Sequence, residues 1–323
     1  MPGIFNPVGL RSRLAAGLSV AVLAAAMHSV KAQDVSVQDR AQLLRNPALS
    51  QNDPYSEENG VVNGQAVATP NDPDIGEQEI LKRIERYEPF TVSVSTPFYY
   101  TSNVALTRTG EQGDVLFAPA VGINYSPRFT STLFGSFTLQ RQEFYYNKFS
   151  ALDFGSVDFR AGLFYVLPKL HNLMLRGEYG YNRLTFSNSF NDFFSNHSIF
   201  LGAELPFRIG RAQQFSLGAD TNVSLHAEPS APQRHEFDIY AGYSARVTRA
   251  LTLSAVGRIF IRDYRSIDRS DVSEVLAFTA NYRINKYFSA SAASTLAWSQ
   301  SSKSVFDYNV ANIGAALSLS FKF

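Results

Sequence analysis

The chain has 323 residues, enough for one large domain or two small ones, and a formal net charge of +1. Cysteine is absent, which excludes a disulfide framework, a thiolate metal site and a thiol nucleophile. Phe and Tyr number 26 and 16, only 18% of residues are charged, and no basic excess points to a nucleic-acid partner.

Residues 1–32 read as a secretory signal peptide. Arg11 and Arg13 precede the apolar run Leu14 to Ala26, and Val30-Lys31-Ala32 sets small residues before a cut at Gln33. The run is too short to span a bilayer as a stable helix, and without Cys there is no lipoprotein anchor. The segment carries Arg11, Arg13 and Lys31 and no acid, so its removal takes the formal charge from +1 to −2. Export, from a Gram-negative cell, is the expectation.

Residues 33–89 read as a flexible periplasmic segment. Up to residue 73 it is rich in Gln, Asn, Asp, Pro, Gly and Ser, with no apolar period. Asp74-Ile75-Gly76-Glu77 then resembles a capping box, and Ile80, Leu81, Ile84 and Tyr87 share one face, predicting a short amphipathic helix near 75–87. Such a helix would act as a plug, contact a periplasmic partner, or simply dock on the inner rim of the domain formed by residues 90–323.

From Phe90 an alternating pattern repeats about twelve times, each repeat ending in a turn signal. Strands are predicted near 90–103, 114–126, 129–144, 153–167, 171–186, 195–209, 213–228, 233–248, 251–265, 272–284, 287–301 and 307–323. In the sixth, Ile199, Leu201, Ala203, Leu205, Phe207 and Ile209 face one way, and Phe200, Gly202, Glu204, Pro206 and Arg208 the other. A soluble sandwich also alternates, but with its polar face outward and usually with shorter strands. Past the N-terminus no apolar run approaches helical span length, which leaves a barrel, whose strands hide their hydrophobicity by alternation. Tight links at 126–128, 168–170, 210–212, 248–250 and 285–286 alternate with longer polar ones, as short periplasmic turns alternate with surface loops. An even strand count puts both ends in the periplasm.

The closing stretch ANIGAALSLSFKF is apolar at every odd position from Ala311 to Phe323 and small or polar at the even ones. Ending on Phe321 and Phe323, it resembles the last strand of bacterial outer-membrane β-barrels, where such an end is an assembly signal. The resemblance implies a fold, an all-β transmembrane up-and-down antiparallel barrel over 90–323. It also implies a place, the outer membrane, with lipids and the barrel assembly machinery as partners. The entry SNVALTRTGEQGDVLFAPAVGINYSP is similar to the first hairpin of β-barrel porins found in exopolysaccharide operons, through its SNV element, acidic loop end and apolar-proline strand. Two aromatic belts fit this placement: Tyr125, Tyr165, Phe207, Phe288, Phe321 and Phe323 near inner strand ends, Tyr100, Tyr181, Phe237 and Trp298 near outer ones. Arg141 and Arg183 break the apolar face where strands leave the bilayer.

With the apolar face outward, the remaining charges point inward, since one facing lipid costs about 2–4 kcal/mol at midplane. The pore-lining candidates are Asp158, Arg160, Arg176, Glu178, Glu204, Arg208, Asp220, Glu228, Glu236, Asp238, Arg246, Arg258, Arg262 and Arg283. Two interiors are open: a narrow channel for small polar or anionic solutes, or a core closed by inward Phe134, Phe164, Phe200, Tyr240 and Phe260 with the charges as structural pairs. Asp220, Asn222, Ser224, His226 and Glu228 form one inward column with the residue types of a nucleophile, base and orienter. Alternate strand residues lie roughly 6–7 Å apart, and a polar wall accounts for the same residues. No catalytic residue, metal ligand or cofactor is assigned: His171, His197 and His235 lack spaced partners, and no phosphate-cradling glycine loop occurs. A porin-like channel is the principal expectation. A structural barrel accessory to polysaccharide export and a lipid-modifying enzyme are its rivals.

Overall fold

The computed structural model describes residues 37–44, 61–62, 65–66, 88–209 and 212–323. The expected signal peptide and the expected helix near 75–87 lie outside the described residues. Twelve antiparallel strands form the body: β1 (Phe90–Thr101), β2 (Asp114–Phe117 and Ala120–Tyr125), β3 (Leu133–Tyr146), β4 (Phe154–Leu167), β5 (Leu173–Phe186) and β6 (Asp192–Ile209). They continue as β7 (Gln213–Glu228), β8 (Arg234–Arg246), β9 (Leu251–Tyr264), β10 (Arg269–Arg283), β11 (Phe288–Ser301) and β12 (Tyr308–Lys322). The two parts of β2 are one strand interrupted at Pro119, which has no N–H to give. Its carbonyl still accepts from Glu143 N at 3.0 Å, and Ala118 N donates to Pro97 O at 2.9 Å, so pairing runs through the break.

Each strand pairs with its sequence neighbours, and β12 returns to β1 in register from Asn312 opposite Thr101 to Lys322 opposite Thr91. The seam ends in a reciprocal pair, Phe90 N to Phe323 O at 3.2 Å and Phe323 N to Phe90 O at 2.9 Å. The sheet is therefore a closed cylinder with no free edge, the form in which strands can sit in hydrocarbon. Phe321, near the end of the closing strand, and Phe323, just beyond it, face outward.

The outer face is apolar through its middle. Leu139, Leu163, Leu201, Ile239, Ile259, Phe278 and Leu317 are all exposed there, a band far larger than a water-soluble surface carries. Rings flank it. At the end where Phe90 and Phe323 meet, here the turn end, Phe90 stacks near Tyr125 (4.8 Å between centroids) and Tyr287 near Phe321 (5.3 Å). At the opposite, loop end, Phe98 stacks on Phe117 at 4.6 Å and Tyr181 lies 4.7 Å from His197. Outward charges cluster at that loop end. Arg141 pairs with Glu143, Arg183 with Asp192 at 2.8 Å, and Glu274 sits opposite Trp298.

The connections differ less in length than the sequence suggests. Segment 126–132 is as long as 147–153, because β3 begins at Leu133 rather than near 129. On the loop side β6 and β10 begin at Asp192 and Arg269, ahead of the predicted 195 and 272, which shortens the loops before them.

The alternation makes a direct test. Leu317→Arg, on the hydrocarbon face, is expected to lose about 2–4 kcal/mol in urea unfolding from lipid vesicles, whereas Ser318→Arg, one residue on and facing inward, stays within about 1 kcal/mol of the native protein.

Candidate functional site

The interior is the candidate site, and strand parity decides what lines it. Of the fourteen pore-lining candidates, thirteen lie on the inner face; the exception is Glu228. A β-bulge in β7 between Ser224 and His226 reverses the parity, so that Ala227 turns inward, 3% exposed, while His226 and Glu228 turn outward. His226 opposes His197 across the strands, their rings 6.3 Å apart, on the face that also carries Tyr179 and Tyr181. The expected column Asp220, Asn222, Ser224, His226, Glu228 is thus broken at its fourth member. Ser224 Oγ donates instead to Asn196 Oδ1 at 2.6 Å, and no Ser–His contact forms.

Three levels of polar structure succeed one another down the lumen. At mid-height Arg258 Nη1 donates to Asp238 Oδ2 at 2.6 Å and lies 4.5 Å from the Tyr240 ring centroid. Tyr240 in turn donates to Glu204 Oε2 at 2.9 Å. The ring lies over Gly218, where any side chain would overlap it. Asp220 opposes Asp238 across β7 and β8. On the far wall Asp158 accepts from Ser156 Oγ and Asn182 Nδ2, and Glu178 is buried. Arg160 faces the Phe200 ring at 5.9 Å and Arg176 the Phe164 ring at 5.7 Å. Towards the turn end Arg208, Arg246 and Arg283 point inward and are exposed, as is Arg160.

The loop end is filled by an element that the sequence pattern did not assign. Residues 37–44 form a two-turn helix lying inside the cylinder, within the segment expected to be a flexible periplasmic tail. Its faces match the wall they meet. Val37, Ala41 and Leu44 pack against Leu116, Phe144, Phe154, Leu184 and Phe194, an apolar arc from β2 to β6. Leu43 packs against Leu106, Val275, Ala297, Tyr308 and Val310 on the opposite arc. Between the arcs, Asp39 and Gln42, three residues apart and so on one helix face, meet charged β8 and β9. Arg40 spreads over Tyr146 and Phe154, each ring centroid 5.8 Å away.

The polar contact is an ion cluster. Asp39 Oδ1 lies 2.8 Å from Arg234 Nη1 and 3.8 Å from Arg262 Nε. Both arginines donate to Glu236 Oε1, at 2.7 and 3.3 Å, and both to Gln42 Oε1, at 3.3 and 3.2 Å. Arg234 also reaches the Tyr264 hydroxyl at 3.0 Å, and Arg262 donates to Ser273 Oγ at 2.6 Å. Arg269 pairs with Asp271 beside them. Burial disfavours the ionised Asp39, but Arg234, then Arg262 and Arg269, outweigh it and hold its carboxyl below the ordinary value.

Glu236 and Arg262 stood among the sequence candidates; Arg234, Arg269, Asp39 and Gln42 did not. Arg269 fell before the predicted start of its strand. A signal for the helix was present: Ser36-Val37-Gln38-Asp39 has capping-box spacing, and Val37, Ala41 and Leu44 come after it at helical intervals.

A closed cylinder of twelve strands, apolar outside between two aromatic belts and charged within, leaves one reading. The fold is that of an outer-membrane β-barrel. Residues 174–321 match the family model described as "Putative beta-barrel porin 2". The barrel is similar in fold to an outer membrane channel from Pseudomonas putida F1, at TM-score 0.52 and 11% identity over 77% of this chain and 99% of that one. It also aligns with the translocator domain of autotransporter NalP from Neisseria meningitidis (TM-score 0.44, 11% identity, 73% and 89% covered). A third is the KdgM porin (TM-score 0.40, 8% identity, 71% and 99% covered). No curated protein matches the chain in sequence.

The barrel carries no cysteine, so a single engineered one reports on the helix. Ala41→Cys, buried at 2% exposure, is expected to react slowly with a thiol reagent. Adding Phe144→Ala, which removes the ring stacked 4.4 Å from Phe154 behind the helix, costs about 3–5 kcal/mol of packing and is expected to make labelling fast.

Proposed function

We propose that the barrel is a porin-like channel passing small polar and anionic solutes by passive diffusion. Both ends of the cylinder chain face the periplasm, and helix 37–44 occupies the outer mouth. The observation that carries this reading is the set of inward arginines, Arg160, Arg208, Arg246 and Arg283, that remain exposed although they face the axis. An interior that leaves guanidinium groups solvated has room for water and for what water carries. Small barrels of about eight strands are filled by their own side chains, and twelve strands leave more space. The arginines at the turn-end mouth would raise the local concentration of anions there. Export by the N-terminal signal, insertion by the assembly machinery through Phe321 and Phe323, and contact with lipids belong to the same proposal. So does a periplasmic partner for the segment before Phe90.

The second reading is a non-conducting structural barrel, as an accessory to polysaccharide export would be. The fit of helix 37–44 against both apolar arcs favours it, because a filled mouth passes little. The lipid-modifying alternative loses its best residues to the bulge that turns His226 outward.

Planar-bilayer recording separates the two. Protein lacking residues 33–44 is expected to give discrete ohmic steps with anion preference, and the intact chain smaller or rarer ones. Arg246→Glu with Arg283→Glu is expected to move the reversal potential toward cations. Silence from both the intact and the shortened chain would establish the structural reading instead.

A further inference from the structure

The ion cluster at the loop end is short of one anion without the helix. On the wall, Arg234 of β8 and Arg262 of β9 are diagonal neighbours across the strand pair, and both lean on the single carboxylate of Glu236. Arg269 is no reserve of charge, because Asp271 neutralises it. Two guanidiniums against one acid leave a positive charge at a place where Arg262 is 1% exposed and Arg234 7%. Asp39 supplies the missing carboxylate, and Gln42 adds an acceptor for both arginines at once.

We infer that the Arg234–Arg262 pair is a carboxylate-binding site that Asp39 occupies as a tethered ligand, and that a free carboxylate solute competes with Asp39 and releases the helix. The chemistry fits one class. Two forked guanidiniums, flanked by the Tyr264 hydroxyl and Ser273 Oγ, present planar donors that suit a flat carboxylate. The helix is built to be displaced. The described turns at 37–44 make their contacts with the barrel wall on every side, so the wall is what holds them in place. Losing Asp39 from the pair therefore removes the helix as a unit, and the mouth opens to the solute that displaced it. In the channel reading this makes cargo the opener; the binding step itself does not depend on that reading.

The test uses protein purified from bacterial outer membranes, with Ala41→Cys as reporter and heat-modifiable migration as the check that each variant is folded. Succinate is expected to speed thiol labelling of Cys-bearing protein about tenfold, with neutral succinamide and sulfate of equal ionic strength without effect. Asp39→Asn is expected to label fast with no succinate present and to ignore it when added. Arg262→Gln, which weakens the site from the wall side, is expected to lose the succinate response as well. Labelling indifferent to succinate in the native background, or an Asp39→Asn helix as protected as the native one, would overturn the inference. An equal response to sulfate overturns its carboxylate specificity. Parallel bilayer recordings keep the two readings apart. Succinate-dependent labelling in a silent barrel upholds the site and removes the channel, whereas conductance without any succinate-dependent labelling does the reverse.

Discussion

Hydrocarbon offers no hydrogen bonds, so every backbone group that meets it must be satisfied by the protein itself. Here that constraint is met by one seam, the pairing of β12 with β1 from Asn312–Thr101 to the reciprocal bonds of Phe90 and Phe323. Once the seam closes, each strand has two neighbours and side-chain parity is common to the whole wall. A residue is then lipid-facing or axis-facing with no intermediate choice. That is why Leu317 and Ser318, adjacent in sequence, live in different solvents. It is also why the few outward charges sit at the loop end, in pairs or beside an interfacial ring, where the membrane cost is smallest.

Closure solves the outside and creates the problem of the inside. Polar side chains meet this differently along the axis. At mid-height the wall is charged and its acids and bases largely answer each other, as Arg258 does with Asp238 and Tyr240 with Glu204, whereas Arg208, Arg246 and Arg283 toward the turn end stay exposed. At the loop end the wall turns apolar on two arcs. Phe144, Phe154, Leu184 and Phe194 on one side and Val275 and Val310 on the other would face water if nothing covered them. Helix 37–44 supplies that cover, and its amphipathy is a copy of the wall's: apolar toward each arc, Asp39 and Gln42 toward the arginines between them.

Most of the wall was legible in the residues. Period-2 alternation with a hydrocarbon outer solvent is a strong rule, and thirteen of the fourteen candidate charges lie on the inner face. Its failure at Glu228 has a local cause, because a bulge adds one residue to β7 and nothing in the run Val223 to Glu228 announces it. The strand starts at Asp192 and Arg269 were missed for another reason: pairing with β5 and β9 extends them into stretches whose own composition is that of a loop. The polar composition of residues 33–73 hides the helix, because it reads as a flexible segment. Asp39 and Arg40 are unsuited to an apolar core, but they are suited to a wall that carries Arg234, Glu236 and two rings. The helical intervals of Val37, Ala41 and Leu44 mark the helix itself, and the inward Phe and Leu of the loop end mark the wall that needs it.

The ion cluster and the apolar arcs do different work in holding the helix. Desolvating Asp39 and two arginines offsets much of their attraction, so the pair adds little net affinity over a well-packed apolar contact. The arcs supply the affinity, through Val37, Leu43 and Leu44. What the pair adds is dependence on charge: removing one member leaves the other buried and unanswered, which costs about 3–5 kcal/mol in comparable sites. An occupant held by apolar packing alone would stay indifferent to what enters the lumen. One held by packing of moderate strength and by a carboxylate on an arginine pair responds to any solute that brings a carboxylate of its own. The same two arginines that make the mouth selective for the helix thus make it selective for the chemistry that removes it.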